Sequence, residues 1–315
     1  MIGHRGASGH RPEHTSLAYR LAWRSGADCV ETDVVSSRDG VLVCRHDADL
    51  TRTTDISDRP EFAHRRRWMQ VDGEHVQGWF VGDLDLAELR TLRARERWPA
   101  LRPASARYDD NVGLLTLEDL LDLRERESAR AGRSLGVHVE VKDARLFEKH
   151  GLPLHEPLLD VLRARRLTTA LAPVTVMSFD ARLLKQVRRH LDVELVRLLD
   201  HDQPVRRGSL GRTASYATGV GLHKAHLRRG KGLHPARVAA KVQSAGLDLL
   251  VWTLRNENRY LPAHLREPGD GATHGRAHRE VGRLLDLGVD GLITDFPEVA
   301  VGVLTQRARR ARRAA

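Results

Sequence analysis

His4-Arg5-Gly6 near the start of the chain is followed by Glu31-Thr32-Asp33 and then by His46-Asp47. Each residue type has a use in breaking a phosphodiester. A guanidinium forks onto phosphate oxygens, and paired carboxylates hold a hard divalent cation. Two histidines exchange protons near neutral pH, one relieving the attacking oxygen and the other supplying the leaving one. A third carboxylate, Glu140, stands two positions before Lys142. Residues two apart share a face of an extended strand, so Glu31 projects with Asp33 and Glu140 with Lys142. Three converging carboxylates raise one another's pKa. A bound Mg²⁺ or Ca²⁺ relieves that repulsion and keeps positions open for water and a substrate phosphate. Lys142 has two readings, a counter-charge for phosphate or a structural ion pair with a ligand carboxylate. With 17 histidines in the chain, most have no part in chemistry.

These side chains need elements to aim them. Short β-rich runs alternate with amphipathic stretches, the pattern of an α/β fold with parallel strands and crossover helices. Strands are expected at 1–3, 29–35, 41–46, 135–142, 174–179, 193–198, 219–222, 249–254 and 289–297. A TIM (β/α)8 barrel has eight places, so one run is surplus, and 219–222 is the weakest. In such a barrel the carboxyl ends of the strands converge on one rim, where Glu31, Asp33, Glu140, His4 and His46 would gather. The turn at 37–40 leaves no room for a crossover helix before 41–46. Helices are expected at 16–25 behind the cap Thr15, near 84–95, at 116–131 behind the Thr116/Asp119 capping box, and at 180–190, 235–245 and 277–287. Residues 200–232 and 262–276 read as loops.

Residues 51–115 break the rhythm as an irregular insertion after the third strand. Segments of this kind are commonly functional, and Trp68 and Trp79 favour an ordered cap. No repeat or linker divides the chain, which reads as one domain over 1–315, ending in a basic helical tail at 306–315.

Hydrophobic residues make up 41% of the 315, enough for a sizeable core, and aromatics only 4%, so Leu, Val and Ala must fill it. The net charge of +10 favours anionic partners such as phosphate substrates, anionic lipid surfaces or nucleic acid, or else reflects a solvated arginine-rich surface. Two cysteines, Cys29 and Cys44, make neither a disulfide framework nor a metal ribbon and read as buried thiols. No apolar run approaches the ~20 residues of a transmembrane helix, and no signal peptide opens the chain. Only residues 1–3 precede His4, which leaves open a start upstream of Met1 that carries more of the first strand, with or without an export signal. The compartment stays open: cytoplasmic as the sequence stands, secreted or periplasmic with such a leader.

Taken in order, His4-Arg5-Gly6-Ala7, Pro12-Glu13-His14-Thr15, Val30-Glu31-Thr32-Asp33-Val34, His46-Asp47, Glu140-Val141-Lys142, Ser178-Phe179-Asp180, Trp252-Thr253 and Asp290-Gly291-Leu292-Ile293-Thr294-Asp295-Phe296-Pro297 span nearly the whole chain. The set resembles the glycerophosphodiester phosphodiesterase family, in its bacterial branch with a long insertion after the second catalytic-type histidine. That resemblance implies a barrel of the phospholipase C-like phosphodiesterase type. It implies one divalent cation, Ca²⁺ or Mg²⁺, on Glu31, Asp33 and Glu140, with His4 and His46 as the acid/base pair and Arg5 and Lys142 on phosphate. Trp252 would line the alcohol side of the pocket or else pack in the barrel. The implied reaction is attack by a neighbouring substrate hydroxyl to give a cyclic phosphate, then hydrolysis to sn-glycerol 3-phosphate and an alcohol. The chain departs from the family pattern at His14, where Asn is usual; that segment is expected to shape a turn. Two rival readings are a phospholipase D-like lyase acting on lysophospholipids or sphingolipids, and a basic nucleic-acid-binding protein. The second lacks any recognised nucleic-acid-reading motif, so no specific nucleic-acid partner is expected.

Overall fold

A computed structural model describes residues 1–71, 73–228 and 234–314. Its strands are β1 (Ile2–Gly3), β2 (Cys29–Ser36), β3 (Leu42–Cys44), β4 (Arg67–Val71), β5 (Glu74–Gly78), β6 (Gly136–Val141), β7 (Val174–Ser178), β8 (Glu194–Leu199), β9 (Gly219–His223), β10 (Asp248–Leu254) and β11 (Gly291–Thr294). Parallel pairing runs β2-β6-β7-β8-β9-β10-β11, and β1 pairs in parallel with both β11 and β2, closing an eight-stranded (β/α)8 barrel. Two residues suffice for β1 because it is bonded on both edges, Ile2 lying opposite Cys29 and Ile293.

The surplus run is not 219–222, which forms the barrel strand β9; it is the run at 41–46, whose β3 lies antiparallel on β2 outside the ring. A tight turn joins only antiparallel neighbours, so the loop at 37–40 excludes β3 from a parallel barrel. The weak look of β9 comes from its glycines. A Cβ on Gly221 would lie 2.5 Å from Leu198 Cδ2, so crowding in the interior, rather than poor strand character, keeps that position bare.

Ile2, Met177, Val196, Leu198, Leu250 and Ile293 plug the barrel, while two larger clusters bind the outer faces of the strands to the helices. Helix starts follow local chemistry. Thr15 Oγ1 accepts from Ala18 N–H at 3.1 Å ahead of the helix Ser16–Arg24, and Thr116 and Asp119 cap each other ahead of Leu117–Ala131. Near 84–95 only Leu86–Leu89 is helical, since Arg93 N–H turns to Asp55 Oδ1 at 2.7 Å. A helix, Arg207–Ala214, occupies part of the expected loop 200–232, its two glycines masking a face that buries Leu210 and Thr213; residues 229–232 of that stretch lie outside the described ones. In the insertion β4 and β5 form a hairpin. The basic tail continues the helix Pro297–Ala314, Ala315 being outside the described residues. Among the described residues no helix is long and apolar enough to cross a membrane.

Candidate active site at the barrel mouth

Parallel register does the first assembly step. Asp33 on β2 lies opposite Glu140 on β6, and Glu31 opposite His138. Carboxylate oxygens of Glu31, Asp33 and Glu140 accordingly come within 4.8 Å of one another. Glu31 and Asp33 are each 1% exposed. Burial and then repulsion from Asp33 and Glu140 push Glu31 well above the usual carboxylate range, and burial brings Glu140 to about 7 despite Lys142 beside it. Asp33 goes the other way: burial opposes ionisation, but His46, Arg5, His14 and Lys142 outweigh it and hold the group well below normal.

Glu31 Oε2 accepts the Arg5 backbone N–H at 2.8 Å, while Glu31 Oε1 is buried without a hydrogen-bond partner. Such an orphan is costly, and mutually repelling buried acids are costlier still. An all-oxygen donor set of this kind fits a hard divalent cation, Ca²⁺ or Mg²⁺, which would satisfy the orphan and cancel the repulsion.

The segment after β1 is shaped to place Arg5 and His4. Arg5 and Gly6 adopt positive φ, 55° and 86°, and a Cβ on Gly6 would sit 2.5 Å from the Ala18 carbonyl carbon. Only glycine lets this turn lie against the first helix. Arg5 is buried, its guanidinium 3.0 Å from Glu13 and 3.2 Å from Asp33. Lys142 Nζ lies 3.0 Å from Glu140 Oε1.

Both histidines follow short strands, His4 after β1 and His46 two residues beyond β3. Each ring is tethered at Nδ1 by a carboxylate, His4 by Asp295 at 2.6 Å and His46 by its neighbour Asp47 at 2.5 Å. Against the pull of burial, Asp295 is held below the normal range by Arg255 and Arg102, and Asp47 by its hydrogen bond with His46 and by Arg97. They therefore act as acceptors, which puts the proton on Nδ1 and leaves Nε2 as the open position. Burial, then the charge of Arg5, lowers His4 to about 4 and His46 to about 3.

His4, Arg5, His46, Glu140, Lys142 and Trp252 share the wall of one cavity of about 780 Å³, with Phe179, Arg197 and His223 farther around it. The described residues of segment 51–115 contribute nothing to that wall. Trp252 does two things at once: its indole N–H donates to Gly221 O at 3.1 Å, and its ring packs edge-on against Phe179 and His223 at the cavity.

Several contributors escape a reading of the sequence, Asp295 as the tether of His4 among them. Glu13 anchors Arg5, which the Pro-Glu-x-Thr pattern hints at without giving a partner. His14 does sit in a turn with φ 58°, but it also reaches Asp33 Oδ2 at 3.0 Å and Tyr19 Oη at 2.9 Å. It supports a carboxylate of the triad as well as the turn.

Residues 4–299 match the Glycerophosphoryl diester phosphodiesterase family. The chain is 29% identical to a glycerophosphodiester phosphodiesterase of Arabidopsis thaliana over 94% of its length and 83% of the relative's. It is 28% identical to one from Bacillus subtilis, over 95% and 84%. Among solved structures, an Oleispira antarctica phosphodiesterase in complex with the product sn-glycerol-3-phosphate superposes with a TM-score of 0.68 at 19% identity, covering 96% of each chain. A glycerophosphodiester phosphodiesterase from Agrobacterium tumefaciens gives 0.60 at 20%, over 96% and 98%. The carboxylate triad, the tethered histidines and the family match lead to one assignment: this chain belongs to the glycerophosphoryl diester phosphodiesterase family.

Proposed function

We propose that the protein hydrolyses glycerophosphodiesters to sn-glycerol 3-phosphate and a free alcohol, using one divalent cation and two histidines. The observation that carries this reading is the buried triad with its orphaned Glu31 oxygen, set beside two Nδ1-tethered imidazoles on one cavity. The relatives' glycerophosphodiester activity and the sn-glycerol-3-phosphate held by the Oleispira protein support the substrate class. When held by Glu31, Asp33 and Glu140, the cation would stabilise phosphoryl charge and ease deprotonation of the attacking hydroxyl.

The chain's own groups do the rest. Arg5 and Lys142 present positive charge to the phosphate oxygens. The anionic diester in turn offsets the charge of Arg5, which adds to burial in keeping both rings neutral, so that one ring takes up a proton as substrate enters. The neutral ring accepts, at Nε2, the proton of the substrate hydroxyl next to the ester. That oxygen bonds to phosphorus, and the other ring protonates the departing alcohol oxygen as its P–O bond breaks. A cyclic phosphate results, and water opens it with the two rings exchanging roles. Trp252 supports the organic part of the substrate.

The test is hydrolysis of glycerophosphocholine with Ca²⁺, Mg²⁺ or chelator, in the parent and in His46→Ala. Chelation is expected to abolish turnover, and the substitution to lower kcat about 10²–10⁴-fold. Full activity in both would sink the reading. Phosphorus NMR of the products separates hydrolysis from lyase chemistry, in which cyclic phosphate accumulates.

A further inference from the structure

Two arginines of the insertion, Arg97 and Arg102, reach the carboxylates that tether the histidines. Asp47 gives one oxygen to His46 Nδ1 and the other to Arg97 Nη1 at 2.6 Å. Asp295 gives one oxygen to His4 Nδ1 and the other to Arg102 Nη2 at 2.5 Å, an oxygen that Arg255 outside the insertion also reaches at 2.8 Å. The arrangement is thus duplicated: ring, carboxylate, arginine. Both guanidinium groups are buried, 7% and 3% exposed, and each is fixed by a second acid. Arg97 forks onto Glu13 at 2.6 and 2.9 Å, the same Glu13 that holds Arg5. Arg102 donates to Glu257 at 2.7 Å and to Ser8 O at 2.8 Å, and it lies between the rings of Trp98 and Phe296.

A guanidinium locked on two sides gives its carboxylate one allowed rotamer, and a carboxylate so fixed orients an imidazole ring and selects its tautomer. The described residues of the insertion do not line the cavity, so they reach the chemistry through these two carboxylates and, in the case of Arg97, also through Glu13 to Arg5.

We propose that Arg97 and Arg102 are positioning residues for the reaction, bracing His46 through Asp47 and His4 through Asp295, and that bracing this acid/base pair is a function of the insertion. The inference rests on the two-histidine reading above. For Arg102 it predicts a loss in kcat with little change in KM, because the braced ring acts on protons in flight rather than on substrate binding. For Arg97, which also holds Glu13 and through it Arg5, it predicts the loss in kcat together with a raised KM.

The test uses Arg97→Lys and Arg102→Lys, which keep the charge in the buried networks but lose the fork, with Arg97→Met and Arg102→Met beside them. Each Lys variant should stay folded, bind Ca²⁺ within about 2-fold of the parent and lose about 10-fold or more in kcat, Arg102→Lys at unchanged KM, and the Met variants should lose more. The deciding measurement is a double-mutant cycle. In a His4→Ala background Arg102→Lys should cost less than about 2-fold in kcat, and likewise Arg97→Lys in His46→Ala, where only its effect on KM through Glu13 remains, since a ring that is gone needs no brace. Losses that multiply in those backgrounds, or Lys variants with parental kcat, overturn the brace while leaving the histidines in place. Parental turnover in His4→Ala and His46→Ala themselves would overturn the acid/base reading, and the brace with it.

Discussion

Glu31 and Glu140 are poor residues for stability and good ones for holding a cation. Removing one repelling acid should therefore separate the two. In Glu31→Gln, calorimetric titration should show Ca²⁺ affinity reduced about 100-fold or more, since even groups that only orient metal ligands are worth 10–100-fold. The metal-free variant should at the same time melt higher than the metal-free parent at pH 8, because burial first, and then repulsion from Asp33 and Glu140, raises the Glu31 carboxyl, and the amide removes both penalties. A lower melting point without metal would show that the triad is satisfied within the protein. Residue types announced this chemistry in the sequence, but partners did not. Asp47 is legible as a neighbour of His46. Nothing local says that Asp295, 291 positions after His4, holds that ring.

At the scale of elements, the turn after β1 carries the sharpest constraint. Gly6 has φ 86° and its missing Cβ would meet backbone at 2.5 Å, and the next residue back gives its N–H to Glu31. Gly6→Ala is expected to cost about 1–3 kcal/mol in chemical unfolding and to lower kcat by displacing Arg5. Unchanged stability and rate would mean that the turn can relax away from the first helix. Elements governed by neighbours in sequence were the legible ones. The helices Ser16–Arg24 and Leu117–Ala131 announce themselves because Thr15, and Thr116 with Asp119, act within three residues of the cap. The exchange between β3 and β9 was not legible. Whether a run joins the ring depends on what it pairs with, and Gly219 and Gly221 look weak until Val196 and Leu198 stand across from them.

Across the whole molecule, buried ion pairs tie the insertion, the strand ends and the first turn together. Glu13 and Asp295, both buried, are held well below the usual carboxylate range by arginines that outweigh the effect of burial. A depressed folded-state pKa stabilises above the unfolded value, about 4, and that contribution is lost as pH falls further. Thermal melting should thus fall steeply between about pH 4 and 2, and Asp295→Asn should show a shallower fall over that range. An equal slope in that variant would remove Asp295 from the acid transition. The sequence by itself determined the kind of chemistry, the barrel class and the helix starts, since residue types, hydrophobic period and caps act over a few positions. The closing of the ring, the convergence of Glu31, Asp33 and Glu140, and the reach of Arg97 and Arg102 to the histidines' carboxylates were decided only by tertiary structure. Each joins groups far apart in sequence, and register and burial choose among partners that the sequence leaves equivalent.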